Sequence, residues 1–152
     1  HRAADEVGVE SLDAAVVEAE AGLAEGGIPI GSVLVYEGQI IGRGHNRRVQ
    51  RGSAILHGEM DALENAGRLR AAVYERSVLY TTLSPCAMCT GAIRLYPTPR
   101  VVVGENVTFR GEEDLLRGRS VAVDVVDDAR CIELMRRFID AHPTLWNEDI
   151  GM

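Results

Sequence analysis

The chain reads as an α/β sandwich, and three observations predict it. Five short runs rich in valine, isoleucine and leucine, at 30–36, 39–43, 77–83, 100–104 and 121–126, alternate with stretches of helical periodicity. Glycines and prolines punctuate the boundaries, as at Gly26-Gly27, Pro97 and Pro99. The size and composition, 152 residues with 46% hydrophobic and 26% charged, suit one domain spanning residues 1–152. Strands alternating with helices stack as a sheet covered by helices.

Taken in order, Ser11 reads as the N-cap of a helix over 11–25. Leu12, Ala15, Val16, Ala19 and Leu23 fall on one face, and Gly26-Gly27 ends it. Glu37-Gly38 joins the first two strands as a hairpin. Gly42-Arg43-Gly44 resembles the opening of a dinucleotide loop, but the sixth position is Arg47 and no helix is expected after it, so it reads as a turn. Residues 44–56 are polar and predict a loop carrying His45 and Asn46. A helix over 57–66 ends at Gly67, and a second over 86–95 is stopped by Pro97 and Pro99. The polar link 112–119 has partial helical character. In 129–141, Ile132, Met135, Phe138 and Ile139 form one apolar face, and Pro143 ends that helix. The tail 144–152 is acidic and holds the sole tryptophan, Trp146.

The formal net charge of −7 argues against a phosphate-binding protein, because nucleic-acid affinity leans on clustered lysine and arginine. Three cysteines make no disulfide framework. With no apolar run of about eighteen residues and no leader-like apolar segment, the expectation is a cytoplasmic protein without a membrane span. His1, which stands where a methionine is usual, is assigned no function.

The chemistry concentrates in two pieces, His57-Gly58-Glu59 and Pro85-Cys86-Ala87-Met88-Cys89. A lone C-x-x-C is often a redox pair or half of a structural zinc site, and a lone H-x-E is close to noise. Together and in this order they form H-x-E … P-C-x-x-C, the signature of zinc-dependent nucleobase deaminases. Two thiolates and an imidazole supply three ligands to Zn²⁺ and leave a fourth tetrahedral position for water or hydroxide. Cys131, far along the chain, is no natural fourth ligand. Glu59 is the group that makes the centre catalytic, as the proton carrier between that water and a substrate. Residues two apart on a helix do not share a face, so His57 and Glu59 converge only if the metal lies beyond the helix N-terminus.

The sequence resembles the fungal-type cytosine deaminases of the cytidine deaminase superfamily. The resemblance rests on Glu25-Gly26-Gly27-Ile28-Pro29-Ile30-Gly31, Gly42-Arg43-Gly44-His45-Asn46, Leu56-His57-Gly58-Glu59, the block 83–93 around the cysteines, Val103-Gly104-Glu105-Asn106-Val107 and Glu148-Asp149-Ile150-Gly151. It implies a three-layer α/β/α sandwich with a five-stranded mixed sheet, a homodimer, one Zn²⁺ per subunit, and hydrolysis of free cytosine to uracil and ammonia, with 5-fluorocytosine as a further substrate. By the same resemblance His57, Cys86 and Cys89 hold the metal and Glu59 shuttles protons. Asn46 and the Gly58 N–H bind the pyrimidine edge, Leu83 and Ser84 lend main chain, Phe109 and Trp146 wall the ring, and Asp149 accepts from the exocyclic amine.

Each of these has a plainer reading: Asn46 as a turn residue, Phe109 and Trp146 as core or dimer aromatics, Asp149 as a solvated tail charge. The chain departs from the pattern in a link after Phe109 one residue shorter, in Pro97 where the pattern has glycine, and in weak similarity before Ala21. The open alternatives are deamination of isocytosine, guanine or tRNA adenosine, and, from another class, a non-catalytic zinc module.

Overall fold

A computed structural model describes residues 4–152; His1 lies outside the described residues. The elements run α1 (Ala4–Ala24), β1 (Gly31–Tyr36), β2 (Gln39–His45), α2 (Arg48–Arg51), α3 (Gly58–Ala66), α4 (Ala71–Tyr74), β3 (Ser77–Leu83), α5 (Ala87–Leu95), β4 (Arg100–Glu105), α6 (Glu113–Gly118), β5 (Ala122–Val125), α7 (Ala129–Ala141) and α8 (Pro143–Asp149). The strands form one sheet in the order β2-β1-β3-β4-β5. Strand β1 pairs antiparallel with β2 and β3, while β3, β4 and β5 are parallel. This is the expected five-stranded mixed sheet between helix layers.

Period-two alternation divides the sheet residues between the two faces. Leu34, Leu79, Val101, Val103 and Val123 point to the face covered by α3, α5 and α6, where they meet Leu63, Ile93 and Leu116. Val33, Val35, Tyr80 and Val102 point to the other face and pack with Leu12 of α1. A third apolar cluster, Ile28, Ile30, Leu83, Met135, Phe138 and Trp146, lies at one edge and joins the sheet to α7 and α8.

The hairpin at Glu37-Gly38 is as expected: both residues have positive φ, 49° and 77°, and Tyr36 pairs with Gln39. Four expectations need correction. Ser11 is not a cap, because the helix begins at Ala4; its hydroxyl instead donates to the Val7 carbonyl inside the helix. Gly42 and Gly44 belong to β2 rather than to a turn, and a short helix, α2, does follow them. A side chain at Gly42 would strike the Ala62 carbonyl, and one at Gly44 would strike Asp61, so glycine here lets α3 lie directly on the strand. Pro143 stops one helix and, at its first turn, starts another, so the tail is α8 rather than irregular.

The register sets out the functional edge. Gly31 at the start of β1 pairs with His45 at the end of β2, and Leu83 at the end of β3 pairs with Glu105 at the end of β4. Four strand ends therefore meet on one rim. Among the described residues no helix is long and apolar enough to cross a membrane.

Candidate active site

The metal-binding residues sit at helix starts. His57 is the N-cap of α3 with extended backbone, and Cys86 is the N-cap of α5, which places Cys89 in that helix's first turn. Helix N-termini present unpaired N–H groups and a positive dipole end, which favour thiolates and anions. Pro85 has no N–H to donate and leads β3 into α5 through Ser84. The result is convergence: one ligand atom each from His57, Cys86 and Cys89 lies within 4.8 Å of the others. His57 Nδ1 is 3.4 Å from Cys86 Sγ and 3.7 Å from Cys89 Sγ.

Cys131 is buried elsewhere, with its sulfur against Gly104, and is not part of this cluster. The donor set fits zinc: two sulfurs and one imidazole nitrogen at mutual distances that one ion can span. The Cys86 thiol is pushed down to about 4, chiefly by the neighbouring Cys89 thiol and also by the His57 imidazole. Cys89 is driven well above the usual thiol range by the Cys86 thiol it bonds to and by burial. Burial lowers His57, but Cys86, Asp149 and Glu59 outweigh it and hold the imidazole up at about 9. A dication held among these groups would reverse that balance and leave both thiols deprotonated.

Glu59 lies in the first turn of α3 and is only 3% exposed. Burial pushes its carboxyl up to about 7, with His57 pulling the other way. A group poised near neutrality can both take and give a proton.

The remaining walls come from distant parts of the chain. Leu83, Ser84, Phe109, Trp146 and Asp149 line the same cavity as His57, Glu59 and Cys86. Phe109 and Trp146 meet edge to face, with centroids 5.8 Å apart and planes at 83°. Asp149 is buried, and its Oδ1 lies 2.8 Å from Asn46 Nδ2, 3.4 Å from His57 Nε2 and 3.8 Å from Arg48 Nη1. Burial raises the Asp149 carboxyl, opposed by His57, Asn46 and Arg48.

Asn46 is fully buried but is not among the cavity-lining side chains. Its amide nitrogen serves Asp149, and its oxygen accepts the Arg48 N–H at 3.1 Å. Its neighbours fix it in place: His45 bonds Glu18 at 2.9 Å and Glu25 at 2.8 Å, and Arg47 bonds Asp61 at 2.9 Å. Gly58, the first residue of α3, packs against the Ile30 carbonyl, and its N–H is one of the four without an intrahelical acceptor. Ser84 turns its hydroxyl away, to Glu113.

Sequence reasoning missed Ile30 and Ile150 as walls and Arg48 as a neighbour of Asp149. Ile30 and Ile150 stand inside the family-like blocks, which was the available signal. Nothing in the sequence marked Arg48. The free space between the walls is about 10 Å³, room for roughly one water.

Residues 8–105 match the pattern described as the cytidine and deoxycytidylate deaminase zinc-binding region. Over 143 residues the chain is 54% identical to a cytosine deaminase of Candida albicans, covering 93% of this chain and 95% of that one. It is 42% identical over 109 residues to a tRNA-specific adenosine deaminase of Streptococcus pyogenes, covering 68% of this chain and 67% of that one. Among solved structures, one from a study of A-to-I editing by tRNA:A34 deaminases superposes with a TM-score of 0.70 at 26% identity, covering 83% of this chain and 99% of that one.

Proposed function

The chain belongs to the cytidine and deoxycytidylate deaminase family of zinc-binding enzymes, and on that premise we propose that it hydrolyses free cytosine to uracil and ammonia. The observation that carries this reading is the buried group of His57, Cys86, Cys89 and Glu59, closed over by a C-terminal helix that brings Trp146 and Asp149 to the same cavity.

His57, Cys86 and Cys89 would hold the Zn²⁺, which when bound would supply a water acidified from a pKa of about 15.7 to about 7. Glu59 takes a proton from the attacking water and delivers it to N3 of the ring while the oxygen joins C4. It then moves the second proton to the amine, the C4–N bond breaks, and ammonia leaves. The buried Glu59 carboxyl at about 7 suits both transfers. Asp149, held by Asn46, accepts from the exocyclic amine, and the Gly58 N–H serves the ring's polar edge; Asn46, whose amide bonds Asp149 and the Arg48 N–H in this arrangement, reaches that edge only as the site opens for substrate. Phe109 and Trp146 exclude water from the ring faces, and Leu83 and Ser84 contribute main chain. The closed cavity is smaller than any base, and the free-base reading rests on Trp146 and Ile150, from the C-terminal segment, standing among its walls, where they would close over a bare ring more readily than over a nucleoside. Small 5-substituted bases such as 5-fluorocytosine share the pocket. A single domain over residues 1–152, cytoplasmic residence and a homodimer complete the reading. Two thiols that must stay reduced support the compartment.

The test is an ammonia-release panel over cytosine, 5-fluorocytosine, isocytosine, guanine, cytidine and a tRNA anticodon stem, run alongside Glu59→Ala. The expectation is turnover of the two cytosines, little of the rest, and a zinc-replete Glu59→Ala with a rate about 10²- to 10⁴-fold lower. Comparable kcat/KM for cytidine or for the tRNA stem would refute the free-base assignment. Near-normal turnover in Glu59→Ala would refute the proton-carrier role.

A further inference from the structure

Two buried carboxyl groups beside the site take no part in the chemistry just described. Glu105, the last residue of β4, is fully buried. Its Oε2 accepts the N–H groups of Val107 at 2.7 Å and Thr108 at 2.9 Å, and its Oε1 accepts the Thr108 hydroxyl. Glu113, at the start of α6, is 1% exposed. It accepts the Ser84 hydroxyl at 2.6 Å and the Asn106 amide at 3.2 Å. Between these anchors runs the segment that carries Phe109.

The far end of that segment is fastened to the strand leading into the metal helix. The Gly111 N–H donates to Ser84 Oγ at 2.9 Å, and the Glu112 N–H donates to the Pro85 carbonyl at 3.1 Å. Gly111 passes so near the Pro85 carbonyl that no side chain fits there. Burying a carboxyl group is costly unless its acceptors are filled, and here the two backbone bonds to Glu105, from the Val107 and Thr108 N–H groups, fix the peptide planes leading up to Phe109.

We propose that Glu105 is a positioning residue: by gripping Val107 and Thr108 it aims the Phe109 ring at the substrate face and at the edge of Trp146. The proposal rests on the reading of Phe109 and Trp146 as walls of the cytosine pocket. Glu113 braces the other end through Ser84 and Asn106, but Glu105 sits next to the aromatic and fixes its direction. The consequence falls on substrate capture rather than on proton transfer, because Glu59 and the three metal ligands lie on α3 and α5, outside this segment.

Trp146, the sole tryptophan, stands 5.8 Å from Phe109 and gives a readout independent of turnover. The experiment compares zinc-loaded, full-chain Glu105→Leu, Glu105→Gln and Thr108→Val for zinc content, cytosine kinetics and acrylamide quenching of Trp146. In Glu105→Gln the amide oxygen still accepts both N–H groups, and the Thr108 hydroxyl rotates to accept from the amide nitrogen. Glu105→Leu strands all three donors.

Glu105→Leu is expected to raise KM about tenfold or more, with kcat within about threefold, and to raise the quenching constant about twofold; Glu105→Gln restores both to within about twofold. Thr108→Val removes one of the three bonds and raises KM about threefold. Unchanged KM and quenching in a zinc-replete Glu105→Leu overturns the proposal, as does a loss confined to kcat. If Glu105→Leu does not fold, Thr108→Val and Glu105→Gln decide: an unaltered KM in the first, or a KM as high as tenfold in the second, overturns it. If the wild-type protein does not turn over cytosine, the functional reading fails by itself. Trp146 quenching then still decides whether Glu105 sets the aromatic wall.

Discussion

Replacing Trp146 by alanine separates a core residue from a lid residue, because the two roles predict different costs. Trp146 is 5% exposed and packs with Ile28, Ile30, Leu83, Met135 and Phe138. Burying about 200 Å² of aromatic surface at about 25 cal/mol/Å² gives about 5 kcal/mol, and tryptophan-to-alanine changes in cores cost about 3–5 kcal/mol. If α8 stays docked over the resulting hole, that whole amount leaves the folding free energy and lowers Tm by about 6–20 °C. But α8 is a helix of only seven residues, packed on α7 and outside the sheet. It can release, which limits the global loss to its own docking energy and moves the damage to substrate capture. The expectation for Trp146→Ala is therefore a Tm drop smaller than the core value and a reduced urea m-value, since less surface is left to expose on unfolding. Base–aromatic stacking of about 1–3 kcal/mol translates to a rise in cytosine KM of about 5- to 150-fold. Urea titration, calorimetry and steady-state kinetics on one zinc-replete preparation give all three numbers. A full core-sized Tm drop with KM unchanged within twofold would make Trp146 a core residue and refute the lid argument.

Asp149→Asn keeps the shape and the bond to Asn46 but removes a charged acceptor worth about 1.5–3 kcal/mol, so kcat/KM for cytosine should fall about 10- to 150-fold at unchanged zinc content; wild-type kinetics would dismiss the acceptor role. Asp128 caps α7 by accepting the N–H groups of Arg130 and Cys131, and the Arg130 guanidinium and those N–H groups hold its carboxyl below the usual range. Asp128→Ala should cost about 1 kcal/mol at neutral pH. Because the folded-state pKa is the depressed one, that stability is complete above the unfolded pKa and disappears as pH falls through the folded value. The gap between variant and wild type in urea titrations should accordingly narrow as the pH falls below the usual aspartate range, and a gap that stays constant or widens on acidification would contradict the linkage. Stripping zinc with a chelator should abolish activity reversibly and lower Tm by about 8–16 °C, taking about 4 kcal/mol of binding-linked stability; an unchanged Tm in metal-free protein would mean the three ligands contribute nothing to the fold.

The metal half of the site was legible because its residues are local: H-x-E and P-C-x-x-C each occupy one helix start, and helix starts leave signatures in proline, spacing and the following periodicity. The strands were legible for the same reason, as alternation within six or seven residues. What the sequence hid is long-range. Asn46 meets Asp149 across 103 positions, and only the fold shows that its amide is used there. Ser11 looked like a cap because serine favours caps, yet the helix begins at Ala4, and a serine inside a helix can donate to a carbonyl one turn back. Pro143 read as a stop is half of its meaning, since the same missing N–H that ends α7 suits the first turn of α8. Nothing in the sequence marks Glu105, Glu113 and Asp61 as buried acids. Their burial depends on donors that a one-dimensional reading does not assign to them.

The connectivity also explains how chemistry and recognition are divided. Both metal helices come after strands of the sheet, α3 after β2 and the short α2, α5 directly after β3, and both lie against the sheet's core. Their ligands are thus set by the most deeply buried part of the molecule. Phe109 comes from the link after β4, and Trp146 and Asp149 come after the last strand altogether. Those groups are held by side-chain bonds and one apolar cluster rather than by strand pairing. Because the cavity they close has room for about one water, a pyrimidine can enter only as they move. Rigid support for the metal and Glu59, with releasable support for the recognition groups, follows from which residues precede and which follow the sheet. Substitutions on α3 and α5 should accordingly act on kcat, and substitutions on α8 and the Phe109 segment on KM.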